Sequence, residues 1–213
     1  MDTDELRIGE GTAPDADGGA TDDLRAAQDG AYQRARAQAR ATVSDGLLEL
    51  ADARLASEGP AALSMRRLAN AAGCSTMVFY SAFGTKAGLL RALARREADR
   101  WIDLATMLAD PDPIAWFDAV AVALVEAATA RPHHRALLFD ADVGTEAVAH
   151  LRAAVLDAID QAVPGSVADG VAEAVWAGWV GALAEADAER FSQVQRGLGR
   201  LWSGYVSRQA PSS

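Results

Sequence analysis

Apolar residues recur at the three- and four-residue spacing of amphipathic helices along most of the chain, whereas the alternation typical of β-strands is absent from the sequence. Glycine and proline separate the helical segments, most clearly at Glu58-Gly59-Pro60 and at Asp110-Pro111-Asp112-Pro113. The pattern predicts a helix at about 31–58, a short pair between 63 and 84, and helices at about 86–107, 113–130, 132–139, 145–162, 167–186 and 188–207. The sequence therefore predicts an all-α fold.

Large apolar residues are sparse at both ends of the chain, which sets the outer limits of the predicted domains. Residues 1–29 are rich in Asp, Gly and Ala and cannot bury enough surface to offset the entropy of ordering, so we expect a disordered acidic tail. We expect residues 30–90 to form an N-terminal three-helix domain, residues 91–207 a C-terminal helical domain, and residues 208–213 a flexible tail.

The stretch from Leu63 to Leu90 has the layout of a helix-turn-helix that is followed at once by a third helix. Ser64 can cap the first helix, and Gly73 suits the left-handed conformation that ends such a helix. Ser75 can cap the second helix and Thr85 the third. The turn between the paired helices is therefore very short, as in DNA-binding motifs of this kind.

The second helix of this motif has one face that can pack against the protein core and another that can remain exposed to solvent. Phe79, Ala82 and Phe83 share the apolar face, whereas Met77, Tyr80 and Ser81 lie on the opposite side. Lys86 falls in the first turn of the third helix, where the helix dipole makes a cation cost up to roughly 1 kcal/mol. A bound anion such as a DNA phosphate would offset that cost.

The net charge of −10 is unevenly distributed, and the distribution favours DNA binding. Residues 1–30 hold 2 arginines against 9 acidic residues, and residues 101–213 hold 7 basic against 15 acidic residues. Residues 31–100 instead hold 11 basic against 6 acidic residues. Because phosphate attraction acts over about one Debye length, the local sign of the charge matters more for DNA binding than the net charge of the whole chain.

The sequence lacks the common catalytic and metal-binding patterns. His133, His134 and His150 have no partners at zinc-site spacing, and phosphate loops, nucleophile elbows and paired-carboxylate motifs are absent. We therefore expect no enzyme activity, no catalytic residue, no metal and no cofactor. Cys74, the single cysteine, fits packing at the turn better than a redox role.

The apolar run 174–184 is too short to span a membrane, so we expect a cytoplasmic protein without a membrane partner.

The helix-turn-helix residues resemble the TetR-type transcriptional repressors, whose signature contains V-S-x-x-x-[LV]-Y-x-x-F-x-[ST]-K-x-x-L. The fixed places of that signature are occupied here by Cys74-Ser75, Phe79-Tyr80, Phe83, Thr85-Lys86 and Leu89. The resemblance extends over about Leu47 to Leu93. The chain departs from the family at Ser81-Ala82, where a polar aromatic residue or His is frequent, and at Asp52 and Arg54, where apolar residues are more common.

The resemblance implies a role for the exposed residues of the motif. Arg66 would reach a base edge from the first helix, and Thr76 and Met77 would read bases from the second. Tyr80, Ser81 and Lys86 would hold phosphates. The complete set of predicted DNA-binding residues is Ser64, Arg66, Arg67, Ser75, Thr76, Met77, Tyr80, Ser81, Thr85 and Lys86.

The last two predicted helices carry more apolar surface than a lone surface helix would. The 167–186 segment is small and apolar on nearly all sides, and the final segment has apolar residues at helical spacing, so both can pair with a second copy as a four-helix bundle. TetR-like repressors dimerise in that manner. The tract AVWAGWVGALAEADA is also similar to a subgroup whose C-terminal domain is named for Trp-His-Gly, although the His is absent here.

Aromatic residues of the C-terminal region are candidates for lining an apolar ligand cavity, with core packing as the alternative for each. They are Trp101, Trp116, Phe117, Trp176 and Trp179. The resemblance implies that the C-terminal domain serves ligand binding and dimerisation, and that the protein is a homodimeric, ligand-responsive repressor. It would bind a palindromic double-stranded DNA operator and be released by a small, largely apolar effector. The alternatives are a helix-turn-helix activator or a ligand-independent regulator, and, more distantly, an α-helical enzyme or interaction module.

Overall fold

The computed structural model describes residues 18–108, 110–185 and 188–209, and most of these residues are helical. The helices are α1 Gly18–Glu58, α2 Met65–Ala71, α3 Thr76–Phe83, α4 Lys86–Met107, α5 Pro113–Ala130, α6 Pro132–Leu138, α7 Thr145–Ala162, α8 Val171–Glu185 and α9 Ala188–Gln209, with a 3₁₀ turn at Pro60–Ala62. These described ranges contain no β-strand, so the predicted all-α fold is confirmed.

The chain divides into two compact units, Met1–Val43 and Ser44–Ser213, which we describe separately. In the first unit, Arg34 Nε and Thr42 Oγ1 of α1 donate hydrogen bonds to carbonyls four residues earlier. Helix α1 begins at Gly18, so residues 18–29 are helical although we expected them in the disordered tail. Leu24, Arg25 and the two following alanines have high helix propensity, which favours this longer helix. Residues 1–17 and 210–213 of the two predicted tails lie outside the described residues.

The helix boundaries of the second unit follow capping groups and prolines. Thr85 Oγ1 accepts from Gly88 N at 3.0 Å and starts α4, and Asp112 Oδ1 accepts from Ile114 N at 3.0 Å at the start of α5. Helix α8 begins at Val171 rather than at 167, because Gly170 adopts a φ of 74° and residues 164–170 form turns. The other predicted C-terminal helices agree with the observed ones to within two residues.

Aromatic rings from α5, α8 and α9 pack together in the C-terminal part of the core. The Phe117 ring lies 5.1 Å from that of Trp179 and 5.6 Å from that of Trp202, measured between ring centroids. Trp202 Nε1 donates to the Pro113 carbonyl at 2.8 Å, and Trp179 Nε1 donates to Gln195 Oε1 at 3.0 Å. These buried indoles therefore keep a hydrogen-bond partner while their rings tie three helices together.

Helix α5 is long and apolar enough to cross a membrane by length and composition, with a mean hydropathy of 1.5 over 18 residues. The apolar run 174–184, considered above as a possible membrane span, lies in a different helix and is shorter. Trp116, Phe117, Val120 and Leu124 of this helix are buried in the protein core. A core helix of a globular domain passes the same test, so this helix is weak evidence for a membrane span.

A partly buried group of charged residues, which we call the Asp52–Glu97 cluster, joins α1, α4 and α6. Its members are Asp52, Glu97, Arg100, Arg131 and His134. The Arg100 guanidinium binds both oxygens of Asp52, at 3.1 and 3.2 Å, and Arg131 Nη2 lies 3.0 Å from Asp52 Oδ1. Arg131 Nε donates to Glu97 Oε2 at 3.0 Å, and His134 Nε2 lies 3.1 Å from Asp52 Oδ1. Two carboxylates and two guanidinium groups cancel, so the cluster is neutral when His134 is neutral.

The environment of the cluster shifts two pKa values downward. Burial alone would raise the pKa of Asp52, but the hydrogen bonds and positive charges of Arg100 and Arg131 outweigh it and hold that pKa below its ordinary value. Burial lowers the pKa of His134, and the charge of Arg131 lowers it further. The cluster therefore contains an ionised Asp52 and a neutral His134 at neutral pH.

We expect Asp52→Asn to destabilise the protein by about 2 kcal/mol or more, because it leaves two partly buried guanidinium groups short of negative charge. Urea unfolding at pH 7.5 measures the change. Asp99→Asn is the matched control, since Asp99 forms exposed pairs with Arg95 and His150 and should change stability by less than about 0.5 kcal/mol. Equal effects of the two substitutions would contradict the role given to the cluster.

We also expect stability to fall between pH 7.5 and 5.5 because of His134. Its pKa is lower in the folded than in the unfolded state, so its contribution is complete above about 6.5 and is lost as the pH falls and the unfolded state takes up a proton. The loss at pH 5.5 should reach at most about 1.4 kcal/mol. His134→Gln, which keeps a side-chain donor for Asp52, should flatten this slope in urea titrations. An unchanged slope in the variant would assign the pH dependence to other groups.

Candidate DNA-binding interface

Helix α2 has a buried apolar side and an exposed basic side. Ser64 Oγ accepts from Arg67 N at 3.2 Å, which confirms the predicted N-cap. Met65, Leu68 and Ala69 are buried, whereas Arg66 and Arg67 are exposed. The cap therefore fixes where α2 starts, and the apolar spacing turns both guanidinium groups outward.

The turn between α2 and α3 is short because of one backbone conformation. Gly73 has a φ of 65°, the left-handed value that its lack of a Cβ permits, and Cys74 N donates to Ala69 O at 3.0 Å. Ser75 occupies the N-cap position of α3, but its side chain makes no capping hydrogen bond within this described segment, in contrast to our expectation. The exposed Ser75 hydroxyl is therefore available to another partner.

Helix α3 packs against the core through one aromatic face. Phe79 is completely buried, and its ring centroid lies 6.1 Å from that of Phe83. On the opposite side Met77 is 67% exposed, Tyr80 is 48% exposed, and Ser81 is also exposed. Thr76 is half-buried at the start of the helix. The structure thus presents to solvent the side of α3 that the sequence assigned to base and phosphate contacts.

The start of α4 lies close against the end of α3 at Gly88, a residue that was not predicted to matter. A Cβ on Gly88 would lie 2.0 Å from the Phe83 carbonyl oxygen, so only glycine fits this contact. The close approach places the exposed Lys86, the first residue of α4, directly after α3. The sequence signal that could have indicated this contact is a Gly in the first turn of a predicted helix, three residues after its Thr cap.

The surface around α3 is basic because no acidic residue occurs between Glu58 and Glu97, whereas that segment holds 6 basic residues. Arg95 and Arg96 form ion pairs with Asp99 and Glu49. Arg66, Arg67 and Lys86 have no ion pair within the described ranges of the chain. These three cations are therefore free to meet an anionic partner such as a phosphate backbone.

The predicted ligand-binding residues occupy two different parts of the C-terminal core. Trp101 of α4 donates from Nε1 to Glu97 Oε1 at 3.0 Å, and its ring lies 5.9 Å from that of Phe139. Phe117 and Trp179 instead belong to the ring cluster around Trp202. Trp116 is buried and Trp176 is half-buried. A ligand-binding role for these residues stays a prediction.

The Asp52–Glu97 cluster was not predicted from the sequence. Its signal was a pair of acidic residues on apolar helix faces: Asp52 falls beside Ala51 and Leu55, and Glu97 lies between Leu93 and Trp101. An acidic residue at a core position indicates a buried cationic partner, which the sequence alone does not identify.

Comparison with known families agrees with this geometry. Residues 47–93 match the family described as bacterial regulatory proteins, tetR family. No significant match to the chain is found among curated proteins or among solved structures. The matched segment runs from the core residues of α1 through α2 and α3 into α4, and so contains the complete helix-turn-helix. Membership of the Trp-His-Gly subgroup stays a prediction. Residues 47–93 therefore form a helix-turn-helix of the tetR family of bacterial regulatory proteins, and a helical C-terminal region follows it.

Proposed function

We propose that the protein is a ligand-responsive repressor that binds a palindromic DNA operator as a homodimer and leaves it when a small molecule binds. The observation that carries the DNA-binding part is the exposed side of α3, with Met77, Tyr80 and Ser81, next to the unpaired Lys86. The flanking Arg66 and Arg67 extend the same basic surface. A surface of this chemistry suits a helix placed in the major groove with phosphates on both sides.

Each side chain has a distinct task in this proposal. Thr76 and Met77 lie in the first turn of α3, where a recognition helix contacts base edges, and Met77 offers apolar contact to a thymine methyl group. The Tyr80 and Ser81 hydroxyls donate to phosphates, and Lys86 neutralises a phosphate at the N-terminus of α4. Ser64, Ser75 and Thr85 are placed at the N-caps of the three helices, close to the same surface.

A second copy of the chain is the proposed partner of α8 and α9. Ala174, Ala177, Gly181 and Ala184 form an exposed stripe along α8, and a Cβ on Gly181 would meet nothing within 4 Å. Gly178 points the other way, toward Leu198 of α9 in the same chain. Leu201 of α9 is 43% exposed. Two such helix pairs can form a four-helix bundle, and its twofold symmetry requires a palindromic operator.

The effector part of the proposal rests on the connection between the two ends of α4. This helix runs from Lys86 at the DNA-binding surface to Trp101 and Ala105 in the C-terminal core. The Asp52–Glu97 cluster binds it to α1 and α6 midway. A ligand that displaces α6 or Trp101 therefore moves α4 and shifts the two recognition helices out of register with the operator half-sites. Such coupling is typically about 1–3 kcal/mol and is reciprocal between ligand and DNA.

We expect Tyr80→Phe and Lys86→Ala to weaken binding to DNA from beside the protein's own gene and to random DNA alike, because phosphate contacts carry no sequence information. Tyr80→Phe should cost about 2- to 10-fold in affinity, and Lys86→Ala should lower the salt slope by about 1. Gel-shift titrations at several salt concentrations measure both. Arg152→Ala, which removes an exposed arginine paired with Glu173 on the C-terminal side, is the control and should leave binding unchanged. Unchanged binding of both test variants would refute this DNA-binding surface.

We expect Ala177→Glu to convert the dimer to monomers and to abolish tight operator binding, because a carboxylate would enter a close helix contact and the joint hold on two half-sites would be lost. Light scattering and gel shifts give the two readouts. Ala153→Glu places the same charge at an exposed position of α7 and should leave the dimer intact. A dimeric Ala177→Glu protein would place the dimer contact elsewhere.

A further inference from the structure

One half-buried arginine of the second unit has two side-chain nitrogen atoms without a partner. Arg135 lies on α6, and its Nε and Nη1 atoms are excluded from solvent without a hydrogen-bond partner in the described part of the chain. Burying a donor without a partner costs free energy, and native structures rarely leave such donors unsatisfied. The remaining buried unsatisfied side-chain atom among the described residues, His134 Nδ1, belongs to the adjacent residue of α6. All the buried side-chain atoms without a hydrogen-bond partner in the described residues therefore lie on α6.

The neighbours of Arg135 on α6 show which way its side chain projects. Arg131, Arg135 and Phe139 follow each other at four-residue spacing and so share one side of the helix. Arg131 reaches Glu97 of α4, and the Phe139 ring lies against Trp101, which is one turn further along α4. Arg135 lies between these two contacts, on the side of α6 that faces α4 near the Trp101 ring.

The nearby carboxylates are already engaged and leave no negative charge for Arg135. Glu97 Oε1 accepts from Trp101 Nε1, and Glu97 Oε2 accepts from Arg100 and Arg131. Asp52 is bound by Arg100, Arg131 and His134. Because two carboxylates balance two guanidinium groups in the Asp52–Glu97 cluster, Arg135 is one positive charge in excess. A ligand with one negative charge would balance it.

We propose that Arg135 binds the carboxylate of an acidic effector whose apolar body lies against Trp101 and Phe139. This inference rests on the proposed ligand-responsive function and adds the chemical class of the ligand. A guanidinium matches a carboxylate with two parallel N–H donors, and such a pair is strongest where water is excluded. The adjacent aromatic rings supply the apolar wall of the same site. Arg135 thus selects an organic acid over its neutral analogue.

Paired probes test this selection directly. Octanoate and phenylacetate are compared with octanamide and phenylacetamide, which keep the shape and lack the charge. Affinities are measured by tryptophan fluorescence titration and by thermal shift of the dimer. We expect at least one carboxylate to bind the wild type 10-fold or more tightly than its amide. Arg135→Gln should bring the two affinities of that pair to within about 2-fold and leave amide binding unchanged. Arg152→Gln, at an exposed arginine of α7, should keep the wild-type preference.

Several outcomes would overturn the proposal. It fails if no carboxylate binds, if acid and amide bind equally well to the wild type, or if Arg135→Gln keeps the preference. A ligand-free measurement adds an independent check. Arg135→Met keeps the apolar stem and removes the unpaired charge, so its melting temperature should equal or exceed that of the wild type. A lower melting temperature would mean that Arg135 has a partner within the chain.

Gel shifts on the same variants separate this inference from the proposed function. Arg135→Gln should bind DNA like the wild type, because Arg135 lies away from α3 on α6. The preferred carboxylate should release DNA from the wild type and from Arg152→Gln, but not from Arg135→Gln at the same concentration. Normal DNA binding without a carboxylate preference overturns the ligand class alone. Failure of the wild type to bind DNA overturns the proposed function itself.

Discussion

The carboxylate of Asp52 is the constraint on which the arrangement of residues 44–213 depends. It extends from α1 and is bound by Arg100 of α4, by Arg131 at the junction of α5 and α6, and by His134 of α6. A bidentate guanidinium–carboxylate pair tolerates little change in distance or angle. Removing any partner would leave a charge in a partly dry site. Helices α1 and α4, on either side of α2 and α3 in the sequence, are therefore joined to α6 by charged hydrogen bonds in addition to apolar packing.

This constraint gives α4 its place in the proposed switch. The helix carries Lys86 at one end and Trp101 toward the other, and Glu97 lies between them with both oxygens bound. Movement of α6 pulls on Glu97 and Asp52 through Arg131, because one guanidinium bonds both carboxylates. Displacement in the C-terminal core thus reaches α1 and α4 together.

Local signals in the sequence predicted most of the helices, whereas the contacts that join them were not predictable. Thr85 and Pro113 mark the starts of α4 and α5, and apolar spacing correctly separated the buried Phe79 from the exposed Tyr80. The start of α8 was predicted too early because turns with Gly170 at positive φ also contain apolar residues. Asp52 was recognised as unusual in its helix, but its partners lie 48 and 79 residues away. Periodicity within one helix contains no information about such partners.

The position of Arg131 at the start of α6 connects the proposed Arg135 site to the Asp52–Glu97 cluster. Arg135 is one helical turn from Arg131, so both guanidinium groups move with α6. In the proposed site, a carboxylate bound to Arg135 would act directly on α6. Arg131, at the start of the same helix, would pass a displacement of α6 to Asp52 and Glu97, because it is hydrogen-bonded to both. A ligand can shift an equilibrium only by its difference in affinity between two states, and a charge that is unpaired in one of them provides such a difference.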